Sequence, residues 1–176
     1  MELTDGYVAL RAPRIGDAPW VAETCADPEL ERWLPMLPRP YVLADAEWWI
    51  EQCTARWADG TAAAFIIEDT ATRDRLGTIE LRLSGDVGYW LAPNGRGRGA
   101  MTRALRLVTR YAVERRGLAR VELFTLPGNL RSQAVAERAG YRRAGTAPAR
   151  IESRDGSRHD AFRFVIDAAE LGSAAD

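Results

Sequence analysis

One segment of the chain places glycines and arginines at the boundary between a strand and a helix. Residues 88–102 read Gly-Tyr-Trp-Leu-Ala-Pro-Asn-Gly-Arg-Gly-Arg-Gly-Ala-Met-Thr, so a strand pattern ends, a glycine-rich turn follows and a helical pattern begins at once. The first N–H groups of a helix lack intrahelical partners and carry the positive end of its dipole, which suits phosphate. Glycines let the backbone approach an anion closely, and Arg96 and Arg98 can add charge-assisted contacts. The segment therefore predicts a phosphate site.

Two other phosphate-binding turns fit this segment poorly. A P-loop ends in Gly-Lys-Ser or Gly-Lys-Thr, whereas all 24 Lys+Arg residues of this sequence are arginine. A dinucleotide-binding fold places its glycines after the first strand of a βαβ unit, with an acidic residue about 20 residues further on. Here the turn lies past the middle of the chain, after several strand patterns. A flexible charged turn without a ligand is the remaining alternative.

A second group of polar residues follows the next strand pattern. After the strand-like residues 121–125, Pro127-Gly128 breaks the pattern and Asn129 and Ser132 precede or open a helix that ends near Gly140. Asn129 suits a helix cap or a turn, and Ser132 suits the first turn of the helix.

Together the two motifs resemble those of the GNAT superfamily of N-acetyltransferases, in particular the branch that acetylates N-termini of ribosomal proteins. Its first signature is Arg/Gln-x-x-Gly-x-Gly/Ala, matched by Arg96 and Gly99, with Met101 in place of the last small residue. Its second is Asn-x-x-Ser followed by a helix closing on Gly-Phe or Gly-Tyr, matched by Asn129, Ser132 and Gly140-Tyr141. The resemblance covers nearly the whole chain. It implies a domain that binds acetyl-coenzyme A, in which a mostly antiparallel central sheet contains a splayed parallel strand pair and is flanked by helices.

The resemblance also implies which residues contact coenzyme A. The pantetheine arm is expected between the splayed strands, bonded by the backbone of Trp90 and Leu91 and contacted by Asn129 from the other side. For the side chain of Trp90, an ordinary core position is the simpler interpretation. The turn is expected to bind the pyrophosphate through Arg96, Gly97, Arg98, Gly99, Ala100, Met101 and Thr102.

Acetyl transfer to a primary amine needs a donor for the oxyanion and can use a base and an acid. The tyrosine that serves as the acid in many members of the family corresponds to Ala136 here, and Ser132 resembles the substitute found in this branch. Glu80 is the preferred base, with Glu122 and Asp86 as alternatives, although a solvated strand face explains each of the three better when it is taken singly.

The identity of the amine is left open by the sequence. Segment 27–42, with Trp33 and Tyr41, and the helix that carries Trp48 and Trp49 are expected to form the acceptor site. An α-amine has a pKa of about 7.7–8.0, whereas a lysine costs roughly 4 kcal/mol to deprotonate near pH 7.5. A site without a strong base therefore fits an N-terminal amine or a weakly basic small amine, and the branch resemblance favours a protein or peptide N-terminus. The alternatives are a small amine (an antibiotic, a polyamine or an amino acid derivative) and a non-catalytic acyl-CoA-binding module.

The patterns around these motifs predict one α+β (mixed α/β) domain over residues 1–171, followed by a frayed tail at 172–176. Segment 27–42 contains four prolines and is expected to be a loop with at most one helical turn. Strands are predicted over 7–11, 62–68, 76–83, 87–91, 121–125 and 161–166, and helices over 15–24, 45–58, 101–115 and 130–139.

Composition restricts the remaining possibilities. The formal net charge is -1, so no excess charge favours nucleic acid or a membrane surface. Two cysteines and one histidine at unsuitable spacing argue against a metal site. The sequence shows no signal peptide and no run of roughly 20 apolar residues, so a cytoplasmic protein is expected. A homodimer is an expectation from the family alone.

Overall fold

A computed structural model describes residues 2–172. The eight strands are β1 Glu2–Thr4, β2 Val8–Arg11, β3 Ala62–Asp69, β4 Arg75–Arg82, β5 Asp86–Leu91, β6 Arg120–Thr125, β7 Arg142–Glu152 and β8 Arg158–Asp167. The helices are α1 Ala18–Cys25, α2 Pro28–Trp33, α3 Leu43–Asp59, α4 Ala100–Arg116, α5 Leu130–Arg138 and α6 Ala168–Gly172, with 3-10 turns at Ile15–Asp17 and Pro93–Gly95. No helix within these residues is long and apolar enough to cross a membrane.

All eight strands form one sheet in the order β1-β2-β3-β4-β5-β6-β8-β7. Every neighbouring pair is antiparallel except β5 and β6. These two strands are parallel, and they pair only at Asp86↔Glu122 and Val87↔Leu123. The expected mixed sheet with a single parallel pair is therefore confirmed. The parallel pair is possible because α4 connects β5 to β6 and returns the chain to the same end of the sheet.

The two faces of the sheet carry separate helical layers. Trp90 packs with the buried cluster of α1 and α3, whereas its neighbours Tyr89 and Leu91 pack with the cluster that contains α4. Because successive side chains of a strand point to opposite faces, α1 and α3 lie on one face and α4 on the other. Leu105 and Val108 of α4 are fully buried in the main core.

Helix α4 follows the sequence prediction closely. The predicted apolar face of Met101, Leu105, Val108 and Ala112 is buried, and the arginines between these positions stay at the surface or near it. Gly117 adopts a left-handed conformation (φ 66°) at the end of the helix, which is the expected glycine stop signal.

Other elements differ from the predictions. The expected loop contains α2, a helix of six residues and thus more than one turn, because the Asp27 side chain accepts the N–H of Glu29 and Pro28 starts the helix. Trp48, on the helix that is expected to contribute to the acceptor site, is 63% exposed on α3. Strand β1 and helix α6 were not predicted, whereas β7 and β8 form the final hairpin that the sequence predicts before residue 166. Gly172, the first residue of the predicted frayed tail, ends α6, and residues 173–176 lie outside the described residues.

Candidate active site

The parallel strands β5 and β6 separate soon after they meet. Their ladder ends at Val87 and Leu123. Beyond this point β5 continues to Leu91 in pairing with β4 alone, and β6 continues to Thr125 in pairing with β8 alone. The sheet therefore contains an internal gap between the carboxyl ends of β5 and β6.

The backbone of β5 presents alternate residues to this gap. The N–H of Ala92 bonds the carbonyl oxygen of Leu76 at 2.9 Å, on the β4 side. Since the N–H and C=O groups of successive strand residues point to opposite edges, Tyr89 and Leu91 face the gap. Leu91 was predicted to bond a ligand there, and its position is suitable; Tyr89 was not predicted.

The backbone of Trp90 faces the other way. A Cβ placed on Gly77 of β4 would stand 2.3 Å from the Trp90 carbonyl oxygen, so this peptide is turned toward β4. The expectation that the Trp90 backbone lines the gap is therefore wrong, because strand parity assigns it to the β4 ladder. Its ring lies 5.5 Å from the ring of Trp20 and packs with the buried cluster of α1 and α3, which agrees with the interpretation of the Trp90 side chain as an ordinary core residue.

Strand β6 presents one backbone unit and one buried hydroxyl near the gap. The N–H of Glu122 bonds the carbonyl oxygen of Gly85 at 2.9 Å, so by the same alternation Phe124 faces the gap from β6. The Oγ1 atom of Thr125, a residue only 3% exposed, finds no hydrogen-bond partner among residues 2–172. Buried hydroxyls are normally paired, so this atom is available to a ligand.

The glycine-rich turn next to the gap forms an open cradle. Gly97 and Gly99 adopt left-handed conformations (φ 73° and 74°), and an added Cβ at either position would meet nothing within 4 Å. Arg103 is the first helix residue whose N–H finds a backbone acceptor, the Gly99 carbonyl oxygen at 3.2 Å. In the described part of the chain, the N–H groups of residues 97–102 have no acceptor. The turn is thus built as the sequence predicted, with Met101 contributing backbone only because its side chain is in the core.

The two arginines of the turn are engaged elsewhere in the free protein. Arg96 donates to Asp27, to Glu29 at 3.2 Å and to the Leu91 carbonyl oxygen at 3.3 Å. Arg98 donates to Asp69 at 2.8 Å. Neither guanidinium group is free to meet a phosphate as expected, so any such contact requires an exchange of partners.

Helix α2 spans the mouth of the gap. Besides Arg96, its Glu29 pairs with Arg131 in the first turn of α5. Between α2 and α5 lies a cavity of about 620 Å³, lined by Pro28, Glu29, Arg32, Trp33, Gly128, Asn129, Leu130 and Arg131. The predicted acceptor residue Trp33 therefore shares a cavity with Asn129, a predicted coenzyme contact.

The second predicted acceptor residue, Tyr41, lies in different surroundings. It packs against the buried cluster of α1 and α3 together with Leu37 and Trp49. Burial raises the pKa of the Tyr41 hydroxyl above its ordinary value, and the nearby Cys25, Asp45 and Cys53 add to the rise. The structure does not bring Tyr41 into the cavity that holds Trp33, because the turns after α2 direct it into the core.

The second motif forms a cap and a hydroxyl pair. The Asn129 Oδ1 atom accepts the N–H of Ser132 at 3.1 Å, which caps α5. The Ser132 Oγ atom lies 2.9 Å from the Tyr89 hydroxyl, which also donates to the Ser132 carbonyl oxygen at 3.2 Å. Burial raises the pKa of Tyr89 to about 12, although the bond to Ser132 counters part of the rise. A tyrosine inside an apolar strand pattern is a signal that could have found this partner, since a buried Tyr hydroxyl requires one.

Glu80 lies on β4, beside the point where β5 and β6 separate. It is opposite Gly88, one residue beyond the end of the β5–β6 ladder. Its carboxylate is held by Arg56 at 3.2 Å and by Arg82 at 3.1 Å. Glu80 is therefore well placed among the three candidate bases. If it accepted a proton, its salt bridges with Arg56 and Arg82 would be weakened.

The two alternative carboxylates lie inside the parallel ladder and are also paired. Asp86 contacts Arg82 at 3.1 Å and Arg150 at 2.7 Å. Glu122 is hydrogen-bonded by Arg163 at 2.7 Å. Both residues stand behind the gap rather than beside it.

The remaining titratable groups do not form a metal site. No group of three or more His, Cys, Asp or Glu side chains suited to a metal ion occurs within residues 2–172. Both cysteines are buried and free, and burial raises the pKa of each thiol to about 12.

Comparison with known proteins agrees with this architecture. Residues 8–142 match the family model of the acetyltransferase (GNAT) domain, and the chain belongs to this family. A relative in Bacillus subtilis (strain 168), named "Probable N-acetyltransferase YjcK", is 40% identical over 86 residues, which are 44% of this chain and 48% of the relative. The chain thus spans about half the length of this curated relative.

Two solved structures share nearly the whole fold. RimJ of Mycobacterium smegmatis, in complex with a CoA disulfide, has a TM-score of 0.83 and 25% identity, with 97% of this chain and 88% of that chain covered. RimL, a ribosomal L7/L12 α-N-protein acetyltransferase in complex with coenzyme A, has a TM-score of 0.83 and 18% identity, with 95% and 98% covered.

Proposed function

We propose that this protein transfers an acetyl group from acetyl-coenzyme A to the α-amine at the N-terminus of a protein or peptide. The observation that carries the proposal is the gap between β5 and β6 beside a turn with free N–H groups. An extended ligand with a pyrophosphate at one end would fit both features. Its extended part would bond the unpaired strand edges at the gap, and its pyrophosphate would accept hydrogen bonds from the free N–H groups of the turn.

The residues present fit this donor. Backbone groups of Tyr89, Leu91 and Phe124 would bond the pantetheine arm, and the N–H groups of residues 97–102 would hold the pyrophosphate. The unpartnered hydroxyl of Thr125 supplies one further polar contact. The RimJ and RimL structures, which contain coenzyme A groups, support this assignment.

The chemistry needs a proton donor for the leaving sulfur more than it needs a strong base. Bound acetyl-coenzyme A supplies the acetyl group as a thioester and a thiolate leaving group. Ser132, held by the Tyr89 hydroxyl at 2.9 Å, is the proposed proton donor. All three candidate bases, Glu80, Asp86 and Glu122, are bonded to guanidinium groups. Such a site suits an amine that is already partly neutral.

An α-amine meets this requirement. Its pKa of about 7.7–8.0 leaves a substantial neutral fraction near neutral pH, whereas the neutral form of a lysine costs roughly 4 kcal/mol there. The L7/L12 N-terminal activity in the name of RimL supports the same class of acceptor.

The acceptor would enter on the face that carries Glu80. A rim is present there, because the N–H of Arg154, at the tip of the β7–β8 hairpin, bonds the Pro35 carbonyl oxygen at 3.1 Å. This bond joins the hairpin to the segment that follows α2, so both can contact an extended peptide.

A panel of acceptors tests the proposal. Purified protein and acetyl-coenzyme A are incubated with peptides that have free N-termini, with the same peptides blocked at the N-terminus but containing lysine, and with polyamines and aminoglycosides. Acetylation of the free N-termini alone, located by tandem mass spectrometry, is expected. Turnover of small amines only would replace the proposal with the small-molecule alternative, and coenzyme binding without any turnover would indicate a non-catalytic module.

A further inference from the structure

Two hydroxyl groups form a partly buried pair at the gap. The Tyr89 and Ser132 hydroxyl oxygens are 2.9 Å apart, and either can donate to the other. Tyr89 belongs to β5, and its backbone faces the gap, while Ser132 belongs to the first turn of α5. The pair therefore joins the strand that would hold the pantetheine arm to the proposed proton donor.

A serine hydroxyl is a weak acid by itself. It donates a proton more readily when a second acid replaces that proton in the same step, and a phenol is a far stronger acid than an alcohol. Tyr89 has this position, because its hydroxyl oxygen lies 2.9 Å from the Ser132 Oγ atom. The Ser132 carbonyl oxygen at 3.2 Å is a second acceptor for the same phenol proton. Burial raises the pKa of Tyr89 to about 12, so the proton is present throughout the neutral pH range.

We propose that Tyr89 acts through Ser132 as the second member of a proton relay that neutralises the departing thiolate, an inference that rests on the proposed acetyl transfer. As the carbon–sulfur bond breaks, its electron pair goes to sulfur, and the Ser132 hydroxyl proton moves to that sulfur. The Tyr89 hydroxyl proton moves to the Ser132 oxygen. Water then returns a proton to the tyrosinate, and the attacking amine releases one to solvent, so protons balance.

The alternative is that Tyr89 only fastens α5 to β5. The chain offers a matched control for this alternative in Tyr141, whose hydroxyl lies 2.6 Å from the Thr109 hydroxyl in α4. Tyr141 is buried, and burial raises the pKa of its hydroxyl above the ordinary value. Its partner Thr109 belongs to α4, so Tyr141→Phe removes the same group and leaves the Tyr89–Ser132 hydrogen bond in place.

Kinetics separate the two roles. Tyr89→Phe is expected to lower kcat about tenfold to hundredfold, whereas Tyr141→Phe changes it less than about twofold. Adding Tyr89→Phe to Ser132→Ala is expected to cost no more than Ser132→Ala alone, since the relay acts as a unit. In mixtures of H2O and D2O, the wild type should give a curved dependence of kcat on deuterium fraction, from two moving protons, and Tyr89→Phe a linear one.

A measurement without turnover completes the test. The ultraviolet absorbance of the thiolate of bound coenzyme A is followed against pH. The hydroxyl pair should stabilise this thiolate, so Tyr89→Phe raises the apparent pKa of the bound thiol by roughly one unit, and Tyr141→Phe leaves it unchanged. Equal kcat and equal thiol pKa in the two variants would overturn the relay while leaving acetyl transfer intact. A wild type that binds no coenzyme A would overturn the proposed function itself.

Discussion

The replacement of Gly99 by Ala separates the stability of the glycine turn from its ability to bind an anion. Gly99 has a left-handed backbone (φ 74°), and a Cβ there would meet nothing within 4 Å. The left-handed conformation costs a non-glycine residue roughly 1–2 kcal/mol. The lower entropy of the unfolded alanine chain offsets about 0.4–1 kcal/mol. The net loss of about 1 kcal/mol corresponds to a decrease in Tm of roughly 2–4 °C for a domain of this size.

Gly117 provides the control at the opposite end of the same helix. It has a similar backbone (φ 66°) and equally open surroundings, so Gly117→Ala should lower Tm by the same amount. Position 99 belongs to the segment with free N–H groups and position 117 does not, so only Gly99→Ala is expected to interfere with a bound anion. A hydrogen bond to a charged group contributes about 1.5–3 kcal/mol, so the loss of one weakens coenzyme A binding at least about tenfold.

Calorimetric titration of coenzyme A into both variants, together with their melting curves, checks this reasoning. The expected result is an equal decrease in Tm and a loss of affinity confined to Gly99→Ala. Equal affinities in the two variants would refute the assignment of the turn as the pyrophosphate site. A much larger decrease in Tm for Gly99→Ala would refute the statement that its surroundings are open.

Three further variants test other parts of the structure. Arg96→Ala should lower the free energy of unfolding by at most about 1 kcal/mol, because the ion pair of Arg96 with Asp27 is partly exposed. The Arg96 hydrogen bond also holds the pKa of Asp27 below its ordinary value, so the stability that this ion pair contributes is present above about pH 4 and is lost as the pH falls through the lowered pKa. Melting curves from about pH 7 to pH 3 will show this loss. Asp17→Asn should cost about 3–5 kcal/mol in urea unfolding at neutral pH, since it removes the carboxylate that holds the buried Arg11 at 2.7 Å. Glu80→Gln should reduce kcat/KM for an α-amine peptide less than about tenfold. A decrease in kcat/KM of more than about a hundredfold, measured across the pH–rate profile, would instead identify Glu80 as an essential base.

The glycine turn and α4 were predictable because their signals are local. Glycines with left-handed backbones at positions 97, 99 and 117 are encoded by residue type, and the apolar period of the helix follows from its 3.6-residue repeat. The parallel pair was expected from family resemblance, not from any pattern within the strands themselves.

The partners of the turn arginines were not predictable, because they depend on distant segments. Arg96 pairs with residues 67 and 69 positions away, and Arg98 with one 29 positions away. The assignment of the Trp90 backbone to the gap failed for a different reason. Which edge a strand residue faces depends on its register with a neighbouring strand, and a shift of one residue reverses it.

The internal gap has a consequence for what the protein can admit. An unpaired strand edge on the outside of a sheet is open to other polypeptides and promotes aggregation. Here the unpaired groups of Tyr89, Leu91 and Phe124 lie between two strands that converge at Val87 and Leu123, so the opening narrows like a wedge. Another β-strand would need about 4.7–4.9 Å on each side, with side chains on both faces. The β-alanine and cysteamine parts of pantetheine carry no side chains and need less room, so a narrowing opening favours this part of the arm over a polypeptide strand.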